Sequence, residues 1–141
     1  MAKPGKKPAR LANILVIDDE PVLRLTFKHL LGTHGYRVWI AENGREGLKL
    51  FRRHPIDLVV TDITMPVLDG FSTIEALRRE APALPIIAMS AAAAEKTTAR
   101  PTTEPSFFCV RKPVDERMLV DLIRAILTPS PAVDAVNPGR P

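Results

Sequence analysis

Between residues 13 and 127 the chain alternates short apolar runs with longer stretches in which apolar positions recur every three or four residues. The first pattern predicts buried strands and the second predicts amphipathic helices. "NILVID" (13–18), "YRVWIA" (36–41), "IDLVVTD" (56–62), "LPIIAMS" (84–90) and "SFFCV" (106–110) read as strands. After the first strand, Leu23, Phe27, Leu30 and Leu31 share a helical face. Pro21 stands in that helix's first turn, where its missing N–H does no harm, and "GTHG" (32–35) ends it. "NGREGLKLFRR" (43–53) predicts a second helix with Leu48 and Phe51 inward, weakened at Gly47 by about 1 kcal/mol relative to alanine. "DGFSTIEALRR" (69–79) places Phe71, Ile74 and Leu77 on one face. "DERMLVDLIRAIL" (115–127) turns Met118, Leu119, Leu122, Ile123 and Ile126 inward, with Asp115 as N-cap. Strands this apolar, alternating with helices, imply an α/β domain: a parallel sheet covered by helices on both faces.

One segment breaks the pattern. In "AAAAEKTTARPTTEPS" (91–106), Ala92 to Lys96 favour helix, but four threonines do not. Pro101 and Pro105 would each cost ~3 kcal/mol inside a helix. A short or frayed helix ending before Pro101, then an irregular loop, is expected. The ends differ again: residues 1–10 and 128–141 hold six of the 14 prolines and lack periodicity, so both read as disordered tails around one domain at 11–127.

Composition changes this picture little. The chain has 141 residues, 45% hydrophobic and 26% charged, as in an ordinary globular domain. No apolar run is long enough to cross a bilayer, and the basic start lacks the apolar core of a secretion signal, so a cytoplasmic location is expected. The net charge of +4 sits in Lys3, Lys6, Lys7 and Arg10; from residue 11 onward 16 basic residues face 16 acidic ones. Nothing groups the remaining cations with aromatics, so no DNA contact is expected. Cys109 is the single cysteine, which excludes an internal disulfide and reads as a small buried apolar residue.

Chemistry enters at the strand ends. In parallel sheets ligands gather at the carboxyl edge of the strands. Here the first strand ends in Asp18-Asp19-Glu20, the third in Asp62, the fourth in Ser90, and the fifth leads through Arg111 to Lys112-Pro113. Crowded carboxylates resist ionising unless a cation is present, and oxygen donors with room for water suit Mg²⁺. His29, His34 and His54 lie on helices or their ends and read as surface residues, which leaves no case for zinc. The set suits phosphoryl acceptance: Asp62 as nucleophile, Asp18 and Asp19 on the metal, Ser90 on a phosphoryl oxygen and Lys112 paired with the phosphate. Singly, Asp19 could cap a helix, Asp18 could be a solvated loop acid, Ser90 a turn residue and Lys112 a surface charge. Together, four separate strand ends each offer a group this chemistry needs.

These residues resemble the receiver domains of two-component response regulators, similar to the single-domain chemotaxis type. The motifs are "VIDDEP" (16–21), "DITMPVLDG" (62–70), "MSA" (89–91) and "RKP" (111–113), and the likeness runs from about Asn13 to Leu127. It implies a doubly wound, flavodoxin-like five-stranded sheet in order 2-1-3-4-5 with five helices, the fourth degenerate in this chain. It also implies phosphorylation at Asp62, Mg²⁺ on Asp18, Asp19, Asp62 and the Thr64 backbone carbonyl, a switch hydroxyl on Ser90 and a cis peptide before Pro113. Met65, Pro66, Asp69 and Gly70 would shape the loop. The family usually carries an aromatic residue three before the lysine; here Cys109 stands there, after Phe107 and Phe108, so an aromatic relay is expected to be absent.

The resemblance implies a phosphodonor, either a sensor histidine kinase or a histidine phosphotransfer protein, and a downstream protein target. The protein would be a monomer or a phosphorylation-dependent dimer. With only 14 residues after Leu127, a stand-alone receiver is expected, signalling by protein contact and not acting as an enzyme on outside substrates. Two rivals are a phosphate-independent docking module and a flavodoxin-like cofactor binder. The second lacks a glycine-rich phosphate loop, since "DDEP" would repel a phosphate. A phosphatase lacks an evident second general acid.

Overall fold

The computed structural model describes residues 11–63, 70–90 and 106–128. Five strands, β1 (Asn13–Ile17), β2 (Arg37–Ala41), β3 (Leu58–Asp62), β4 (Ile86–Ser90) and β5 (Phe107–Arg111), form one parallel sheet in order β2-β1-β3-β4-β5. Four helices belong to the described residues: α1 (Pro21–Thr33), α2 (Gly44–Arg53), α3 (Gly70–Glu80) and α4 (Glu116–Leu127). Residues 91–105, where the degenerate helix is expected, lie outside the described residues, as do residues 1–10 and 129–141.

Alternation along each strand divides the core in two. Ile14, Val16, Val60, Ile87 and Met89 pack with Phe27 and Leu31 of α1 and with Leu119, Val120 and Ile123 of α4. Leu15, Ile17, Val59, Ile86 and Ala88 pack on the other face with Leu48 of α2 and Ile74 and Leu77 of α3. Both faces of the inner strands are thus covered, which is why β1, β3 and β4 are buried at every position.

Local signals explain most boundaries. Asn43 caps α2 by accepting the Glu46 N–H at 2.9 Å, and Asp115 caps α4 by accepting the Met118 N–H at 3.1 Å. α1 ends in a Schellman motif: the Gly35 and Tyr36 N–H groups bond to the Gly32 and Leu31 carbonyls, and Gly35 takes the φ of +93° that favours glycine. Gly47 has a tertiary reason as well as a helical cost. A Cβ there would stand 2.4 Å from Cδ1 of Ile17, so its absence lets α2 settle onto β1.

Three expectations about side chains are corrected. Met118 is 44% exposed and Val120 is buried in its stead, because the buried arc of α4 centres on Leu119, Val120 and Ile123. Cys109 is exposed on β5, the edge strand, whose side chains are only partly buried where those of the inner strands are buried throughout. His54 is half-buried and stacks on Trp39 with ring centroids 4.5 Å apart, whereas His29 and His34 are exposed as expected.

Candidate functional site

The parallel arrangement carries the tips of β1, β3, β4 and β5 to one edge. Register places Asp62 opposite Met89 and Ser90 opposite Arg111. The ladder continues one step further, with the Lys112 N–H bonded to the Ser90 carbonyl at 2.7 Å, and a cis Lys112–Pro113 peptide then turns the chain away. Asp18 follows β1 directly, and its N–H still bonds to the Ala41 carbonyl of β2 at 3.1 Å.

These tips bring the acids together. Asp18 and Asp62 are buried, Asp19 is exposed, and the three offer carboxylate oxygens that lie within 4.8 Å of one another. The Lys112 ammonium bridges two of them, 3.0 Å from Oδ2 of Asp62 and 3.3 Å from Oδ2 of Asp18. Burial holds the Asp18 carboxyl above the usual carboxylate range, opposed by the Glu20 N–H and the Lys112 charge and reinforced by Asp62. Burial also works against the Lys112 ammonium. Its hydrogen bond to Asp62 and the charges of both acids together outweigh that, so its pKa stands above the ordinary lysine value.

One ammonium among three carboxylates leaves the cluster short of positive charge. The donor set is all oxygen, and one ligand is open to water, so it fits a hard, partly hydrated divalent cation such as Mg²⁺. Gly70 closes the site from below: a Cβ there would meet the Asp62 carbonyl oxygen at 2.5 Å and the Ile63 Cα at 2.4 Å. Thr64, Met65, Pro66 and Asp69 lie outside the described residues.

Ser90 is buried at its strand tip, and the Cys109 thiol lies 4.0 Å from its Oγ. Phe107 packs on the α2–α3 side and Phe108 on the α1–α4 side, as strand alternation requires. A thiol, not a ring, therefore stands next to the Ser90 hydroxyl. Sequence reasoning missed Arg24, whose Nη1 donates to the Asp18 carbonyl at 2.8 Å. Its position four residues after Glu20, one turn into the helix that follows the acids, was the available signal.

The family's sequence model, that of the response regulator receiver domain, matches residues 14–124. The chain belongs to the response regulator receiver family. Protein PilH of Pseudomonas aeruginosa is 34% identical over 119 residues, which cover 83% of this chain and 98% of PilH. The transcriptional regulatory protein GlrR of Escherichia coli is 33% identical over 124 residues, and there the match spans 87% of this chain but only 28% of the relative. Among solved structures, chemotaxis protein CheY4 of Vibrio cholerae is similar with a TM-score of 0.77 at 25% identity, covering 84% of this receiver and all of CheY4. Among its described residues, no helix is long and apolar enough to cross a membrane.

Proposed function

We propose that this receiver takes a phosphoryl group onto Asp62 from a sensor histidine kinase or a histidine phosphotransfer protein and passes the signal on by protein contact. The observation that carries the reading is the Lys112 ammonium bridging Asp18 and Asp62, with Asp19 completing the acid group. An Asp62 carboxylate oxygen attacks the phosphorus of the donor's phosphohistidine. The P–O bond forms as the P–N bond breaks, and the electron pair returns to the ring nitrogen, so a phosphohistidine protonated at its other ring nitrogen leaves as neutral imidazole. Asp18, Asp19 and Asp62 would hold Mg²⁺, with the Thr64 carbonyl as the further ligand the resemblance implies, and the ion would supply charge neutralisation for the phosphoryl oxygens. Lys112 turns from the carboxylates to a phosphoryl oxygen, and Ser90 offers its hydroxyl to another.

The same edge gives the donor a place to land. Val22 and Leu25 on α1 are 73% and 61% exposed, and a cleft of about 420 Å³ runs along Glu20, Leu23, Phe27, Pro113 and Val114 to Lys112. The added phosphate brings about two negative charges next to Ser90 and Lys112, enough to bias the receiver between two states. The target is a protein in the cytoplasm, and the receiver works as a monomer or as a dimer formed on phosphorylation.

Incubation with Mg²⁺ and acetyl phosphate, followed by intact-mass measurement, tests the reading. One added phosphoryl group is expected, absent in Asp62→Ala and absent when the metal is chelated. No mass gain on the wild-type chain would leave the phosphate-independent docking module as the better account.

A further inference from the structure

The turn between β1 and α1 carries two of the three acids, yet its helix starts without a side-chain cap. Glu20 is the N-cap residue, its side chain makes no cap bond, and the first turn holds no acid. Two contacts on Asp18 order the turn instead. Its Oδ1 accepts the Glu20 N–H at 2.9 Å, and its backbone carbonyl accepts from the Arg24 guanidinium at 2.8 Å. The Arg24 backbone N–H bonds to the Glu20 carbonyl at 3.1 Å, so the side chain reaches back over the turn from a fixed base.

The two acids of this turn do not depend on Arg24 equally. Asp18 is fully buried, and its carboxylate is held by the Glu20 N–H and by Lys112. Asp19 is exposed, and among the described residues no hydrogen bond or ion pair holds its carboxylate. What aims Asp19 is its backbone. The Asp18 carbonyl and the Asp19 N–H belong to one rigid peptide plane, so anchoring the carbonyl oxygen fixes the direction in which the chain leaves toward the Asp19 Cα.

We propose that Arg24 is a positioning residue for cation binding: by clamping the Asp18 carbonyl it aims the Asp19 carboxylate and so sets the affinity of the three-acid cluster for a divalent ion. The inference rests on the reading of that cluster as a Mg²⁺ site. Arginine suits the task because its planar fork, anchored on one turn of helix, holds a single orientation that a flexible ammonium does not.

Calorimetric titration of Mg²⁺ into the full chain tests it, with thermal melts of the metal-free proteins run alongside. Arg24→Met is expected to weaken Mg²⁺ binding about tenfold or more, the usual effect of losing an outer contact that orients a ligand. Arg24→Lys, which keeps one donor within reach, recovers part of the loss. Because Arg24 acts through Asp19, the same Arg24→Met change made in an Asp19→Asn background alters Mg²⁺ affinity by less than about twofold. A merely structural arginine would lower the melting temperature and leave the Mg²⁺ dissociation constant unchanged, and that result overturns the proposal. So does an equal loss of affinity in both backgrounds. Should Arg24→Met not fold, Arg24→Lys carries the same comparison, with a smaller loss confined to the background that keeps Asp19. A wild-type chain that takes up no Mg²⁺ overturns the underlying reading, which is distinguishable from a chain that binds Mg²⁺ regardless of residue 24.

Discussion

The two edges of the sheet handle buried polar groups in opposite ways. At the amino edge, Asn13 is buried and gives its backbone N–H to Oδ2 of Asp57 at 2.7 Å and its side-chain amide to the Pro55 carbonyl at 2.8 Å. Asp57 returns a bond from its own N–H to the Asn13 carbonyl at 2.7 Å. A single acid there satisfies neutral donors. At the carboxyl edge one lysine pairs with two of three clustered acids, and burial leaves the Asp18 charge under-compensated. At the amino edge the buried donors are paired, and the Asn13 Oδ1 is buried without a hydrogen-bond partner among the described residues. The carboxyl edge holds unfavourable electrostatics that a bound cation would relieve.

Removing an acid is therefore expected to lower stability at the amino edge and to raise it at the carboxyl edge, whereas overpacking at either edge lowers it. The largest effect is expected for Gly70→Ala, because its Cβ would press on the backbone of Asp62 and Ile63, which cannot rotate away. A loss near the top of the roughly 1–3 kcal/mol range for overpacking is expected in urea unfolding, with slower phosphorylation by acetyl phosphate. Asp57→Ala removes the acceptor of the buried Asn13 N–H and should cost about 2 kcal/mol in the same measurement, with Mg²⁺ binding unchanged.

Asp18→Asn should do the reverse. It keeps an oxygen for the Glu20 N–H but removes a buried charge, so the metal-free protein gains about 1 kcal/mol, roughly 4 °C in melting temperature, while Mg²⁺ binding is lost. The sign follows from linkage: the folded state holds the Asp18 proton above the ordinary aspartate value of 3.8, so the wild type loses stability as pH rises from there through the raised value. The gain from Asp18→Asn therefore shrinks as pH falls toward 3.8 in a series of melts. Met118→Gln, on the exposed side of α4, should change stability by less than about 0.5 kcal/mol. A substantial loss would mean that this methionine is covered after all.

The residues differ in how plainly they could be read. Asp62 was legible because an acid ending an apolar run is costly without a use, and Lys112 because a fifth strand had to deliver it to the same edge. The Asp115 cap and the chain stop at Gly35 were legible because both are local geometry. Cys109 was misread as buried because burial depends on whether its strand lies inside the sheet or at the rim, and the apolar pattern is alike in both cases. Met118 was misread because a helix with many apolar residues leaves the centre of its buried arc ambiguous by about one position. Gly47 was read as a local weakness, while its reason is the Ile17 side chain across the interface.

The sequence by itself determined the alternation of elements, the two-sided burial of the sheet and the residue types at its carboxyl edge, because each of these is a short-range pattern of period and punctuation. Only the tertiary structure decided that Lys112 reaches both Asp18 and Asp62, that Cys109 rather than a ring lies beside Ser90, and that Arg24 grips the Asp18 carbonyl. Those are contacts between side chains delivered by different elements, and their distances depend on register, twist and packing that no local run of residues contains.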